Sequence, residues 1–361
     1  TSSKKVGPNS IYDPKMGPID HNICVTCGQD AISCPGHFGH IILSEPIVHP
    51  LYTKKVISIL RCVCGDCKRL LLSRDHLAIK GCTNRNKSPV TRFNMVKKLM
   101  IKIDICTWCS TPQPTFKNNT VENTISMTYE DTDKQKVSID ISAQEILDIF
   151  KEISEEDIRL LGMNPKLTRP SSLIITALPV LPPPGRPFVR AAGNMCDDDL
   201  SNQYVEIVKV NNKLKQAGSE GAAEGARRLK LLQTLKFRIA TTFNNSAGRA
   251  KHTTNGRPVK CIKTRISGKD GQMRGNIMGR RANQTARTVI GPDTSIKNGE
   301  MTVPEEVARI LTIPDIVTDR TRDKLTKIVN DGHARFIIRK KEGREIRINL
   351  DHARVDKGTR L

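Results

Sequence analysis

The sequence predicts an α+β chain built in several parts, on three observations. Nine of its eleven cysteines lie before residue 110: Cys24, Cys27, Cys34, Cys62, Cys64, Cys67, Cys82, Cys106 and Cys109. Apolar residues recur at helical spacing in some segments and alternate with polar ones in others. A Gly-, Asn- and Arg-rich stretch over 241–287 has little periodicity of either kind. The 361 residues are enough for two or three domains of ordinary size.

The elements follow in order. Gly7-Pro8 and Gly17-Pro18 make residues 1–22 extended and turn-rich. Leu51, Val56, Ile59 and Leu60 fit a helix between two cysteine groups. Residues 111–141 are polar, with a strand where Val137, Ile139 and Ile141 alternate with polar neighbours. Ser142 and Glu145 have capping-box spacing ahead of a helix striped by Ile146, Ile149, Phe150 and Ile153. Ser154 opens a second short helix through Leu161, and Gly162 ends it. The run Leu-Pro-Val-Leu-Pro-Pro-Pro-Gly-Arg-Pro over 178–187 predicts a stiff, extended, polyproline-like segment. Residues 198–240 predict two helices parted by the small residues Ala217 to Ala226. Farther on, Glu305 to Leu311 and Arg322 to Asn330 predict helices. Arg335 to Arg339 and the alternating run from Arg344 predict a hairpin turning at Glu342-Gly343.

Cysteine spacing carries the first chemistry. Cys24, Cys27, Cys34 and His37 place three thiols and an imidazole within fourteen residues, with two-residue spacings that let each pair pinch one ion. His40 is a rival fourth ligand. Cys64-x2-Cys67 and Cys106-x2-Cys109 make a second four-thiol set across a long loop, with Cys62 a rival to Cys64. Cys82 has no partner pair and is expected to be a buried thiol. The chain opens Thr-Ser-Ser-Lys-Lys with no apolar signal region, so secretion is not expected and paired cysteines read as metal ligands. With all four positions of each set filled by protein, the expected role is structural.

Charge carries the second. The net charge of +22 predicts a polyanionic partner, since Lys and Arg on phosphates release counterions. From Arg249 to Arg287 the basic residues are Arg249, Lys251, Arg257, Lys260, Lys263, Arg265, Lys269, Arg274, Arg280, Arg281 and Arg287, against the single acid Asp270. The charge is therefore expected to lack an internal partner. Gly268, Gly271, Gly275 and Gly279 let backbone N–H groups approach phosphates beside the guanidinium forks. Such a grip reads the nucleic-acid backbone and not the bases. Aromatic residues make up only 4% of the chain, which argues against a single-strand reader built on stacked bases. No run of about 18 apolar residues predicts a membrane span.

Several runs together resemble the largest subunit of multi-subunit DNA-dependent RNA polymerases of the eukaryotic, archaeal and large-DNA-virus type. They are Gly7 to Gly17, the Cys24 to Cys34 group continuing as Cys-Pro-Gly-His-Phe-Gly-His, Arg61 to Cys67, and Cys109-Ser-Thr-Pro-Gln-Pro. The proline run from Leu178, Gly256 to Lys260, Gly268 to Arg281 and Ala286 to Ile290 continue the match in family order. The resemblance implies a zinc-stabilised clamp region over 1–177, with two structural zinc ions. It implies the lid, a coiled helical segment and the rudder over 178–258. Over 259–361 it implies a hinge or switch segment and the start of a β-rich catalytic core domain. The lid, from Leu178, helps part RNA from template, the rudder spans Thr242 to Pro258, and the hinge spans Lys260 to Arg287. Template DNA and RNA–DNA hybrid are the implied ligands, with Lys260, Lys263, Arg265, Lys269, Arg274, Arg280, Arg281 and Arg287 as contacts. The second-largest and smaller polymerase subunits are the implied protein partners. The implied location is the nucleus for a cellular protein, and a virion or viral factory for a viral one. Residues between Cys67 and Cys106, Ala217 to Arg227, Gln272 and Gln284 depart from the family pattern. They point to a divergent member.

Asp197-Asp198-Asp199 is not the family's catalytic motif, in which three aspartates alternate with other residues to converge on magnesium. Acids ahead of Leu200 are expected to cap the next helix. No alternating motif occurs before Leu361, so this chain alone is expected to be inactive, magnesium acting only in the complete enzyme. Two other functions compete: a stand-alone zinc-containing, sequence-independent nucleic-acid-binding protein, and a zinc-scaffolded interaction module.

Overall fold

The structure is a computed structural model that describes residues 7–19, 23–84, 86–119, 124–130, 136–191, 194–217, 222–253, 255–282, 285–334, 336–341 and 344–348. The chain divides into two units, Thr1–Gly275 and Asn276–Leu361.

The first unit begins with strand β1 (Gly39–Val48), then helices α1 (Thr53–Leu60), α2 (Arg74–Ile79) and α3 (Pro89–Met100). Strands β2 (Thr115–Asn119), β3 (Thr124–Glu130) and β4 (Lys136–Ile141) form an antiparallel meander. Helices α4 (Ala143–Glu152) and α5 (Glu155–Leu160) follow, then β5 (Ile174–Val180) and the short hairpin β6 (Val189–Ala191) and β7 (Asn194–Cys196). The long helices α6 (Asp199–Gln216) and α7 (Ala222–Phe243) and the short α8 (Ile262–Ile266) complete it. The second unit holds α9 (Glu305–Ile310), α10 (Arg322–Asn330) and the hairpin of β8 (Ile337–Lys341) and β9 (Arg344–Ile348). The predicted turn residues, Glu342 and Gly343, lie outside the described residues.

Serine caps set the starts of four helices in the first unit. The side chains of Ser73, Ser88, Ser142 and Ser154 each accept from the backbone N–H three residues on, satisfying a donor the helix leaves orphaned. Ser142 and Glu145 form the full capping box. Gly162 ends α5 at φ +72°, and a Cβ there would meet the Pro89 carbonyl oxygen at 2.3 Å, so only glycine fits.

Two cores share the β1–β5 ribbon. One gathers α1, α3, α4, α5 and the cysteine-rich loops around Phe150, Ile146 and Val96. The other packs Leu43 and Ile47 of β1 and Leu178 and Val180 of β5 against Leu200, Tyr204, Leu235 and Ile239 of α6 and α7. Ile174 belongs to the first core and Ile175 to the second, as strand alternation requires of a ribbon covered on both faces. The pairing slips between Ile42 and Ile47. Buried Asn211 of α6 mends that gap, accepting from Ser44 N at 2.8 Å and donating to Ile42 O at 2.9 Å.

Two expectations are corrected. Residues 178–187 are not one extended polyproline segment: Leu178 and Val180 bury in the second core as part of β5, and Pro183–Gly185 close a 3-10 turn. Pro179 is tolerated because, among the described residues, β5 pairs on one side only. Helix α7 also covers Ala222 to Ala226, within the stretch expected to part the two helices. Helix resumes at Ala222 because alanine, the best helix former, outweighs Gly225.

Candidate metal centres and nucleic-acid interface

The first cysteine loop is shaped by its own backbone. Cys24 N donates to Gln29 O and Gly28 N to Cys24 O, both at 2.9 Å, which curls Cys24 and Cys27 toward one point. Cys34 N donates to Asp30 O, and His37 N ties to Met16 O at 2.9 Å. Cys27 Sγ then lies 3.5 Å from Cys34 Sγ, which is 3.7 Å from His37 Nε2. All four ligand atoms fall within 4.8 Å of one another. A tetrahedron with metal–sulfur bonds of about 2.3 Å has edges of about 3.8 Å, so the group has the right size for one ion. His37, and not the exposed His40, joins the group.

The second group repeats one turn twice. Cys64 N donates to Arg69 O and Lys68 N to Cys64 O; Cys106 N donates to Thr111 O and Ser110 N to Cys106 O. Lys68 and Ser110 both take left-handed backbone, at φ 60° and 58°. Cys64 Sγ is 3.5 Å from Cys109 Sγ, and Cys67 Sγ 3.7 Å from Cys106 Sγ. Trp108 Nε1 donates to Leu70 O at 2.9 Å and Thr107 Oγ1 to Leu71 O at 2.7 Å, locking one turn to the other. Cys62 is excluded: it is buried and its thiol donates to Ser58 O at 3.1 Å. Cys82 is a buried thiol of the first core.

The donor chemistry suits a dication. Burial pushes Cys67 up to about 12 and Cys34 up to about 11. For Cys24, burial is outweighed by the backbone N–H groups of Cys27 and Thr26, which bring it to about 6. The hydroxyl and backbone N–H of Thr111 bring Cys109 to about 6. Thiols packed this closely do not all ionise by themselves, and a bound cation is what makes three thiolates compatible in the first group and four in the second. Both groups could hold a metal ion, and each supplies four protein ligands.

The three consecutive aspartates each do something different. Tyr12 Oη donates to Asp197 at 3.1 Å. Asp198 is the N-cap of α6, accepting from Leu200 N, and pairs with Arg265. Asp199 accepts from Lys260 N at 2.8 Å and faces His252 Nε2 at 3.1 Å and Arg257 at 3.3 Å. They point apart: Asp197 ties to the N-terminal segment, while Asp198 and Asp199 hold the basic segment as a structural anchor.

This corrects the expectation that the basic segment has no internal partner. Arg257 and Arg265 are paired by acids that lie more than fifty residues earlier in the chain. Arg265 also donates to Gly185 O at 3.0 Å. Lys260, Lys263, Lys269, Arg274, Arg280, Arg281 and Arg287 are exposed and, among the described residues, form no ion pair. Among the described residues, Lys263 lies on helix α8 and Arg274 on a π-helical turn over Met273–Ile277, and the backbone carrying the others is irregular.

Sequence reasoning missed two residues that position this region. Buried Asn245 donates to Ala250 O and Val259 O and accepts from Ala250 N, closing the loop that opens the basic segment. Buried Arg186 is the other. A lone Asn or Arg in a loop carries no local signal for such a role.

The family described as RNA polymerase Rpb1, domain 1, matches residues 1–277, and RNA polymerase Rpb1, domain 2, matches residues 279–360. A probable DNA-directed RNA polymerase II subunit RPB1 homolog of Invertebrate iridescent virus 6 is 34% identical over 98% of this chain and 41% of its own length. A DNA-directed RNA polymerase II subunit RPB1 of Euplotoides octocarinatus is 35% identical over 89% of this chain and 70% of its own length. The chain thus spans well under half of the viral relative. Among the described residues, no helix is long and apolar enough to cross a membrane.

Proposed function

Because the chain belongs to the Rpb1 family of RNA polymerase largest subunits, we propose that it holds template DNA and the RNA–DNA hybrid in a DNA-directed RNA polymerase, a nucleotidyltransferase. Each cysteine group takes one structural zinc ion, which fixes its loops as a disulfide would in an oxidising compartment. Cys24, Cys27, Cys34 and His37 bind the first ion; Cys64, Cys67, Cys106 and Cys109 bind the second. Residues 1–177 form the zinc-binding clamp region, 178–258 the lid, coiled helical segment and rudder, and 259–361 the hinge and the start of the β-rich core domain. The second-largest subunit and smaller subunits complete the enzyme, with its catalytic magnesium, in a nucleus or a viral factory.

The observation that carries the nucleic-acid part is a set of cations on a glycine-punctuated segment that are exposed and, among the described residues, form no ion pair: Lys260, Lys263, Lys269, Arg274, Arg280, Arg281 and Arg287. Exposed guanidinium and ammonium groups on permissive backbone fit phosphates without reading bases. Arg265 is set apart from them, since its charge is already matched by Asp198.

Binding of the chain to an RNA–DNA hybrid across a salt series tests this. Each of Lys269→Ala, Arg274→Ala and Arg281→Ala is expected to lower the salt slope by about 1, with no change in base preference. Arg265→Ala is expected to lower the melting temperature and leave the slope unchanged. A triple variant with the wild-type slope would sink the phosphate grip. Strong preference for one duplex sequence would instead favour a stand-alone regulator.

A further inference from the structure

The proline-rich loop over residues 181–186 is gripped from three sides. From within, the Arg186 guanidinium is only 1% exposed. It donates to Leu181 O at 2.8 Å, to Ser201 Oγ of α6 at 2.9 Å, and to Ile11 O of the N-terminal segment. It also lies near the rings of Tyr12 and Tyr204, 4.9 and 5.9 Å from their centroids. One side chain thus closes the loop on itself and ties it to two distant parts of the chain. Its planar fork suits this; a lysine could neither span the three acceptors nor stack.

From outside, the first metal loop sits directly on the turn. Gly36 lies between the ligands Cys34 and His37 and takes φ +84°. A Cβ on Gly36 would come within 2.6 Å of Pro182 Cβ and 3.2 Å of Pro184 Cδ. On the third side, Arg265 donates to the Gly185 carbonyl while paired with Asp198 at the start of α6.

We infer that Arg186 is a positioning residue that, together with the first metal loop, fixes the proline turn and through it the seat of Arg265. Occupancy of the first metal group therefore sets where the turn stands, although no metal ligand belongs to the turn. The consequence for transcription rests on the lid assignment proposed above; the positioning itself does not.

Hydrogen exchange of the 361-residue chain tests the positioning. The amides of Gly185 and Arg186 donate to Pro182 O and Pro183 O, so they report the turn. Arg186→Lys, Gly36→Ala and Cys27→Ser are each expected to speed their exchange at least about tenfold. Arg186→Lys is expected to keep two metal ions, and Cys27→Ser to lose one. In all three, emission of Trp108, the only tryptophan and a neighbour of the second group, should stay at the wild-type value and report an intact fold there. Wild-type exchange in Arg186→Lys, or in Cys27→Ser after loss of its metal, would overturn the inference. If Arg186→Lys does not fold, wild-type exchange in Gly36→Ala overturns it.

A second readout uses the complete polymerase carrying Arg186→Lys, with the hybrid measured by ribonuclease H cleavage. The hybrid is expected to lengthen at its upstream edge, whereas mere destabilisation would lower yield and leave the edge in place. Faster loop exchange with an unmoved edge would defeat the lid assignment and leave the positioning standing.

Discussion

Cys106→Ser is expected to release one metal ion per chain and to unfold the helical part built around α1, α3 and α4. Cys106 is buried, and its group joins two turns thirty-nine residues apart in sequence, from Cys67 to Cys106. Helices α2 and α3 lie on the chain between those turns, and Cys64 and Cys106 are themselves members of the first core. A structural zinc ion contributes about 10–16 kcal/mol to the fold it closes, against a net stability of about 5–15 kcal/mol for a whole domain. No adjustment of the surrounding core offsets that loss. Metal analysis and Trp108 emission during thermal unfolding are the measurements. Cys62→Ser and Cys82→Ser, which alter buried thiols outside the metal groups, are expected to keep both ions. A Cys106→Ser chain that still carries two ions and melts like the wild type would remove the second group from the metal assignment.

Asp199→Ala is expected to destabilise the first unit by about 3 kcal/mol, the largest effect of any substitution among the three aspartates. The cost has a definite origin. The carboxylate accepts from Lys260 N and balances Arg257, with His252 alongside. Hydrogen bonds to a charged group are worth about 1.5–3 kcal/mol each, and removing the acceptor leaves its donors in a half-buried setting. Asp197→Ala, which loses the Tyr12 hydroxyl bond, is expected to cost about 1 kcal/mol. Urea unfolding of the two variants checks the order. Equal midpoints for Asp199→Ala and the wild type would mean that the basic segment is anchored some other way. Loss of magnesium-dependent RNA synthesis intrinsic to this chain in Asp198→Ala would overturn the structural role given to the cluster.

The sequence by itself determined whatever depends on covalent spacing. Two residues between cysteines bring both thiols of a turn to one point, and Ser142 and Glu145 are three apart, so each reaches the other's backbone. Helical stripes and the Asp198 cap were legible for the same reason, since their partners lie within one turn of the chain. Only the tertiary structure decided which cations are free. Arg265 and Arg281 look alike in sequence, yet Asp198 neutralises Arg265 across sixty-seven residues, while Arg281 stays exposed. The same holds for the proline run, where burial of Leu178 and Val180 against α6 and α7 draws three residues into a strand. Arg186 is the clearest case: an Arg flanked by Gly185 and Pro187 reads as a surface loop residue, and it becomes a buried fork only because Ile11, Ser201 and two tyrosine rings converge on it. Electrostatic pairing and burial depend on distance in space, and chain folding sets that distance over separations that no local pattern records.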